Sequence, residues 1–316
     1  MKTAESETRR VGRLCGLVGR TRQAYYGHLR KAERGATDSY LVLEEVRCIR
    51  SEQNRIGVRK LHHMMAGALE GHGVRIGRDA LFDLLREHSM LVRRRRSRRP
   101  RTTYSALWMK RYPNLAKGFE PVGALQLWVS DITYIRVGEG FCYLSLVTDA
   151  YSRKIVGHHL SDDLTARGCV SALKMALKSE AGETTGLIHH SDRGLQYYSS
   201  RYMKLLKSAR IRVSMSEKSD PLENAIAERV NGVLKQELLA RRFNSFDEAS
   251  REVDKAVRIY NHLRPHLSID MLTPNEAHGQ SGELKRRWKN YHRRPDPAPS
   301  LGLELDQIVN QTQDVR

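Results

Sequence analysis

The sequence predicts an α/β core preceded by small all-α modules, and three observations predict it. Runs rich in β-branched and aromatic residues, separated by tight turns, fill positions 125–159. Helix-period segments alternate with short apolar runs from 164 to 260. Before position 93 the apolar residues recur at helical spacing among many arginines. With 316 residues and 40% hydrophobic content the chain is long enough for two or more domains and supports a real core.

Taken in order, Val11, Leu14, Leu17 and Val18, then Tyr25, Tyr26 and Leu29, predict a small helical pair within an N-terminal element, 1–35. Ala36-Thr37-Asp38-Ser39 reads as a linker ending in a helix cap, with a helix from Tyr40 to Arg50 after it. Gly57 to Leu69, the glycine-bearing turn Gly71-His72-Gly73-Val74, and Arg78 to His88 have the outline of a helix-turn-helix, which makes 36–92 a module of that kind. An arm, 93–123, follows. Its Arg93, Arg94, Arg95, Arg96, Arg98 and Arg99 repel one another too strongly to pack a core. Such a stretch suits a DNA backbone, where it gains affinity from phosphate contacts and counterion release without reading bases.

The core, 124–282, begins with three strands, Leu125 to Val137, Phe141 to Thr148 and Lys154 to His159. Leu164 to Lys178 reads as a helix leading to a buried strand, Gly186-Leu187-Ile188, that runs into Asp192. A helix from Ser199 to Ala209, a short strand at Ile211 to Ser214, a helix carrying Glu228 and a last helix from Ser245, capped with Glu248, to about Tyr260 complete it. The tail, 283–316, is basic from Lys285 to Arg294, with Trp288 and Tyr291 interleaved, and then leans acidic.

A net charge of +19 with a pI near 10 points to a polyanionic partner, nucleic acid first. No apolar run approaches the roughly eighteen residues of a membrane span, and a polar stretch follows Met1, so no membrane partner and a cytoplasmic location are expected. Cys15, Cys48, Cys142 and Cys169 lack any C-x-x-C pairing and read as buried thiols. The pairs His62-His63, His158-His159 and His189-His190 make poor joint metal ligands, because adjacent residues point in different directions.

Three acids stand out. Asp131 sits mid-strand, where a carboxylate is costly to bury unless it is paired or binds a cation. Asp192 closes a strand immediately before Arg193-Gly194, where the backbone turns. Glu228 follows a helix start signalled by Asp220 as cap, Pro221 at the first position and Glu223 three residues after the cap. On a helical wheel Ile226, Val230, Val233, Leu234 and Leu238 gather on one side, and Asn224, Glu228, Asn231, Gly232 and Lys235 on the other. Lys235 is thereby placed to meet a phosphate near Glu228. Glu237 falls within the apolar arc, which implies a frayed last turn or a paired acid. Asp149 ends its strand and reads as structural, paired with Arg153.

The blocks Trp128-Val129-Ser130-Asp131-Ile132-Thr133-Tyr134, His190-Ser191-Asp192-Arg193-Gly194 with Gln196-Tyr197, and Asn224-Ala225-Ile226-Ala227-Glu228 with Leu234 to Leu238 resemble the signatures of bacterial insertion-sequence transposases of family three, whose core is similar to retroviral integrase. The second and third acids are separated by 228 − 192 − 1 = 35 residues, the spacing of that family. Tyr260-Asn261-His262-Leu263-Arg264-Pro265-His266 with Leu272-Thr273-Pro274 resembles the end of that core. The chain departs from the pattern at Leu195, Tyr198 and Leu222-Glu223 and keeps every acid.

The resemblance implies a ribonuclease-H-like core in which Asp131, Asp192 and Glu228 are catalytic and hold two Mg²⁺ or Mn²⁺ ions, hard cations suited to carboxylate oxygens. A pair of ions about 4 Å apart activates the attacking oxygen and stabilises the leaving one. The reaction implied is hydrolysis that frees a 3′-hydroxyl at an element end, then attack of that hydroxyl on another DNA strand. Implied partners are double-stranded DNA, both terminal repeats and target, and further copies of the chain in a dimer or larger assembly. Arg193, Asn231, Lys235 and the arginine arm are the expected DNA contacts. Two alternatives remain at this point: a helix-turn-helix regulator with a degenerate core, and a nuclease that cuts RNA in hybrids.

Overall fold

Strand β1, Leu127–Val137, is the centre of a five-stranded mixed sheet ordered β3-β2-β1-β4-β5. It pairs antiparallel with β2, Gly140–Asp149, along its whole length, and parallel with the short β4, Ile188–Ser191, over Leu127 to Ser130 only. Strand β3, Ile155–Ser161, lies antiparallel to β2, and β5, Arg212–Met215, parallel to β4. The computed structural model describes residues 10, 11, 13–93, 112–180, 184–217 and 224–287. Arg94 to Arg99, the Asp220-Pro221-Glu223 cap and the tail from Trp288 onward lie outside the described residues.

Period-two alternation sends side chains of the sheet to two cores. On one face Ile135, Leu144, Leu146 and Ile155 pack under Val230, Val233, Leu234, Val253 and Tyr260, from the helices after β5. On the other, Trp128, Val147 and Val156 pack under Cys169, Leu173, Tyr202 and Leu206, from the two helices that flank β4 in sequence. The result is a three-layered α/β core, as expected.

Helix positions follow the caps in the sequence. Thr165 Oγ1 accepts from the Arg167 amide before helix Ala166–Ser179, and Ser199 Oγ accepts from the Tyr202 amide before Ser200–Ser208. Ser245 Oγ accepts from the Glu248 amide before Phe246–His262, while Glu248 Oε2 accepts from Asn244 N. Gly157 marks where β3 and helix Ala166–Ser179 touch: a Cβ there would sit 2.1 Å from the Ala172 carbonyl oxygen.

The N-terminal region differs from expectation. No break occurs at Ala36 to Ser39, and the 35/36 boundary falls inside one helix, α1, Arg22–Glu52, whose cap is Thr21. Thr, Asp and Ser in an exposed helix interior each cost less than about 1 kcal/mol, and without proline they do not stop a helix whose far end is docked by packing. That end supplies Val42, Leu43 and Val46 to a third core, shared with α2, Val58–Gly71, and α3, Arg78–Glu87. Gly73, at φ +69°, makes the turn between α2 and α3. Gln53 Nε2 donates to the Leu263 carbonyl at 3.3 Å and Arg55 Nε to the Gln236 carbonyl at 2.9 Å, which fastens this helical region to the core. Among the described residues no helix is long and apolar enough to cross a membrane.

Candidate active site

Parallel pairing between β1 and β4 ends at Ser130 opposite Ser191. Asp131 and Asp192 are the next residue on each strand, and neighbouring strands run about 4.8 Å apart. The register therefore sets two carboxylates side by side at the carboxyl end of a parallel pair. A polar ladder beneath them fixes the register. His189 Nε2 is 2.8 Å from both Ser130 Oγ and Tyr202 Oη, and His190 Nδ1 is 2.8 Å from Ser214 Oγ. Burial, then the neighbouring His190, lowers His189 to about 3, so its ring is neutral and serves as a hydrogen-bonding node. From the sequence these histidines read only as metal ligands, and poor ones; their place on a strand beside a serine-bearing neighbour is the signal for the ladder.

Asp192 is half-buried, and its Oδ1 accepts from the Gly194 amide at 3.1 Å. A Cβ on Gly194 would lie 3.0 Å from that same oxygen and 3.1 Å from Gln196 Oε1, so a side chain there would press on the carboxylate of Asp192. Asp131 Oδ1 accepts from the Ile132 amide at 2.9 Å, and its Oδ2 accepts from Asn231 Nδ2 at 2.8 Å. Burial first, then the charge of Asp192, raises Asp131 to about 7; the two hydrogen bonds oppose the shift and Glu228 adds to it. Burial raises Asp192 as well.

Glu228 lies in the first turn of helix Ala225–Val233 and is exposed. Asn224 Nδ2 on the same helix donates to the Ser130 carbonyl at 3.1 Å. Asn224, Glu228, Asn231 and Lys235 follow one another at spacings of four, three and four, the repeat of a single helical face, and two asparagines on it grip β1 on either side of Glu228. The face expected to be polar is therefore turned toward Asp131. Among the described residues no three His, Cys, Asp or Glu side chains stand close enough to hold an ion together. Glu228 is exposed, and its charge is felt at Asp131.

The expected DNA contacts divide. Asn231 is buried, and its Nδ2 donates to Asp131. Lys235 is exposed, lowered by burial of its stem and drawn back up by Asp131, which places its charge at the site's edge. Arg193 Nε donates to the Ser216 carbonyl at 2.8 Å, joining the exits of β4 and β5. Arg93 is exposed at the end of the described segment.

Two other expectations change, at Asp149 and Cys48, and of the two readings of Glu237 the paired one holds. Asp149 is fully buried in a cradle of donors, the amides of Leu125, Tyr151 and Ser152 and the Ser152 hydroxyl, while Arg153 donates to the Ala150 carbonyl instead. Glu237 is paired and its turn is ordered as a π-helical stretch, Leu234–Leu238. Arg264, 2% exposed, meets it with Nη2 at 2.7 and 2.8 Å and Nε at 3.0 Å. Cys48 is exposed; Cys15, Cys142 and Cys169 are buried.

Two integrase core domain models match the chain, over residues 121–221 and 209–274. An uncharacterized 31 kDa protein of insertion element IS600 from Shigella sonnei is 34% identical over 267 residues, 83% of this chain and 96% of its own length. Transposase InsF for insertion sequence IS3fB, from Escherichia coli K12, is 35% identical over 173 residues, 53% of this chain and 58% of its own. The HTLV-2 integrase catalytic core domain, solved in complex with magnesium, aligns at 19% identity over 51% of this chain and 100% of its own, with a TM-score of 0.41. The chain belongs to the bacterial insertion-sequence transposases of family three, which are built on an integrase core.

Proposed function

We propose that the chain cleaves the ends of its insertion sequence and joins the freed 3′-hydroxyl to another DNA strand, with Asp131, Asp192 and Glu228 as catalytic residues. The observation that carries the proposal is the adjacency of Asp131 and Asp192, two carboxylates whose proton affinities are raised by burial and, at Asp131, by the neighbouring charge. Such a pair is stable in its ionised form when a divalent cation sits between its oxygens. The donor set, carboxylate oxygens alone, fits Mg²⁺ or Mn²⁺.

Asp131 and Asp192 would hold the ions jointly, and Glu228 would hold one of the two. When bound, the cations supply Lewis acidity at the phosphorus ester and make the attacking oxygen a better nucleophile. The chain's own part is placement: Asn231 holds Asp131, the Gly194 amide holds Asp192, and Lys235 offers a cation to a phosphate beside them. Double-stranded DNA, both terminal repeats and target, is the proposed substrate, with two or more copies of the chain acting on paired ends.

The test is cleavage and joining of the DNA flanking this gene, with Mg²⁺ and with a chelator. Asp192→Asn is expected to fold and bind DNA while losing metal-dependent cleavage. Full activity in that variant would show that the acids are misassigned.

A further inference from the structure

A cleft of about 760 Å³ lies between the helical region and the core, lined by Arg50, Arg55, Arg59, Lys60, Arg78 and Arg93. Two carboxylates share it, Asp79 and Glu237, and both are engaged: Asp79 with Arg78, Glu237 with Arg264 and, at 3.8 Å, with Lys60. The cleft therefore carries a surplus of positive charge.

That surplus is held in place. Arg50 Nη1 donates to the Met90 carbonyl at 2.6 Å, and Arg55 donates to the Gln236 and Arg93 carbonyls at 2.9 and 2.7 Å. Neutral acceptors orient these guanidinium groups without cancelling their charge. Arg50 Nε is buried and has no hydrogen-bond acceptor among the described residues. Helices α2 and α3 both begin at the cleft, capped by Gly57 and Gly77 with no side-chain cap hydrogen bond on either, and the one acid in these first turns, Asp79, is paired with Arg78. Their free amides and dipoles favour an anion there. Lys60 is pulled down to about 7, by burial first and then by Arg264 and Arg229, with Glu237 opposing the shift.

We infer that this cleft is a binding site for backbone phosphate of duplex DNA, separate from the acid site and built jointly by the helical region and the core. The inference rests on the reading of the chain as acting on DNA and deepens it by saying where the duplex is held. Arg93, on the rim, is the first residue of the arginine-rich run in the sequence. Gln236 and Glu237 on the cleft wall lie in the π-helical stretch that continues the Glu228 helix, so a phosphate bound there bears on the element that positions the third acid.

The test is binding of a labelled duplex from the end of this element to the full chain, in chelator, as salt is varied. Arg59→Gln and Arg78→Gln are the variants, singly and together, since both side chains are exposed and neither holds the core. The double variant is expected to bind roughly tenfold more weakly, with a slope of log affinity against log salt shallower by about 2. Arg167→Gln, in a different cleft, is the control and is expected to bind as wild type. Inorganic phosphate is tested separately as a thermal stabiliser of both proteins. Unchanged affinity and slope in the double variant overturn the proposal, whether or not inorganic phosphate stabilises the wild type; stabilisation then assigns the cleft to a small free anion. Because binding is read without metal, absence of cleavage by the wild type would sink the catalytic reading and leave this measurement standing.

Discussion

Raising metal-free protein from about pH 5 to about pH 8 is expected to cost it stability through Asp131, and a divalent cation is expected to restore it. The folded carboxyl titrates at about 7, against 3.8 for the free side chain. Between these values the folded chain binds more protons than the unfolded one, so the contribution is complete below 3.8 and is lost as pH rises through 7. The two units between pH 5 and 7 set a ceiling of about 3 kcal/mol on the change. Asp131 is only half-buried where the parallel pairing of β1 ends, and solvent screening lowers the expected loss to about 1–2 kcal/mol.

For a chain of 316 residues that is a fall in melting temperature of about 1.5–3 °C. Asp131→Asn removes the charge and isolates the effect from the other titrating groups. The assay is thermal unfolding of both proteins across pH, in chelator and in Mg²⁺. Wild type is expected to gain stability from Mg²⁺ at the higher pH and little at the lower, and the variant at neither. Identical curves for the two proteins, with no response to Mg²⁺, would refute the reasoning.

Arg264→Leu leaves Glu237 with only the longer contact to Lys60 and is expected to cost about 3 kcal/mol in denaturant unfolding, much of it recovered when Glu237→Leu is added. Gly157→Ala drives a methyl group into the Ala172 carbonyl and is expected to cost about 3 kcal/mol, or to prevent folding, as read by urea titration and circular dichroism. Asn231→Ala removes one donor from Asp131; cleavage is expected to fall about 10–100-fold and its pH profile to move up, while DNA affinity holds.

Much of the core was legible because its signals are local. Alternation located β1, β2 and β3 to within two residues, and Thr165, Ser199 and Ser245 stand at or next to the predicted helix starts. The acids were legible as residues out of place, a carboxylate in a β-branched strand and another at a strand end. What escaped depends on partners far away in the chain. A helical wheel places Asn231 opposite the apolar stripe, yet that side faces β1 and not solvent. Glu237 looks misplaced until Arg264 arrives beneath it. Asp149 looks like a charge needing a cation because backbone amides do not register as partners in a sequence. The missing break in α1 has the same origin: residues 36–39 have cap chemistry, but capping requires the chain to leave the helix, and nothing there makes it do so.

The length of α1 has a mechanical consequence. Thirty-one residues of unbroken helix form a rod of about 46 Å, packed into the helical region at one end, while its described side chains from Arg22 to Asp38 are exposed. A rod transmits angle as well as distance. Each residue removed from its exposed half would draw the far end in by about 1.5 Å and turn it by about 100°. Excising seven residues would nearly restore the original heading at a shorter reach, whereas excising two would point whatever precedes Arg22 almost backwards.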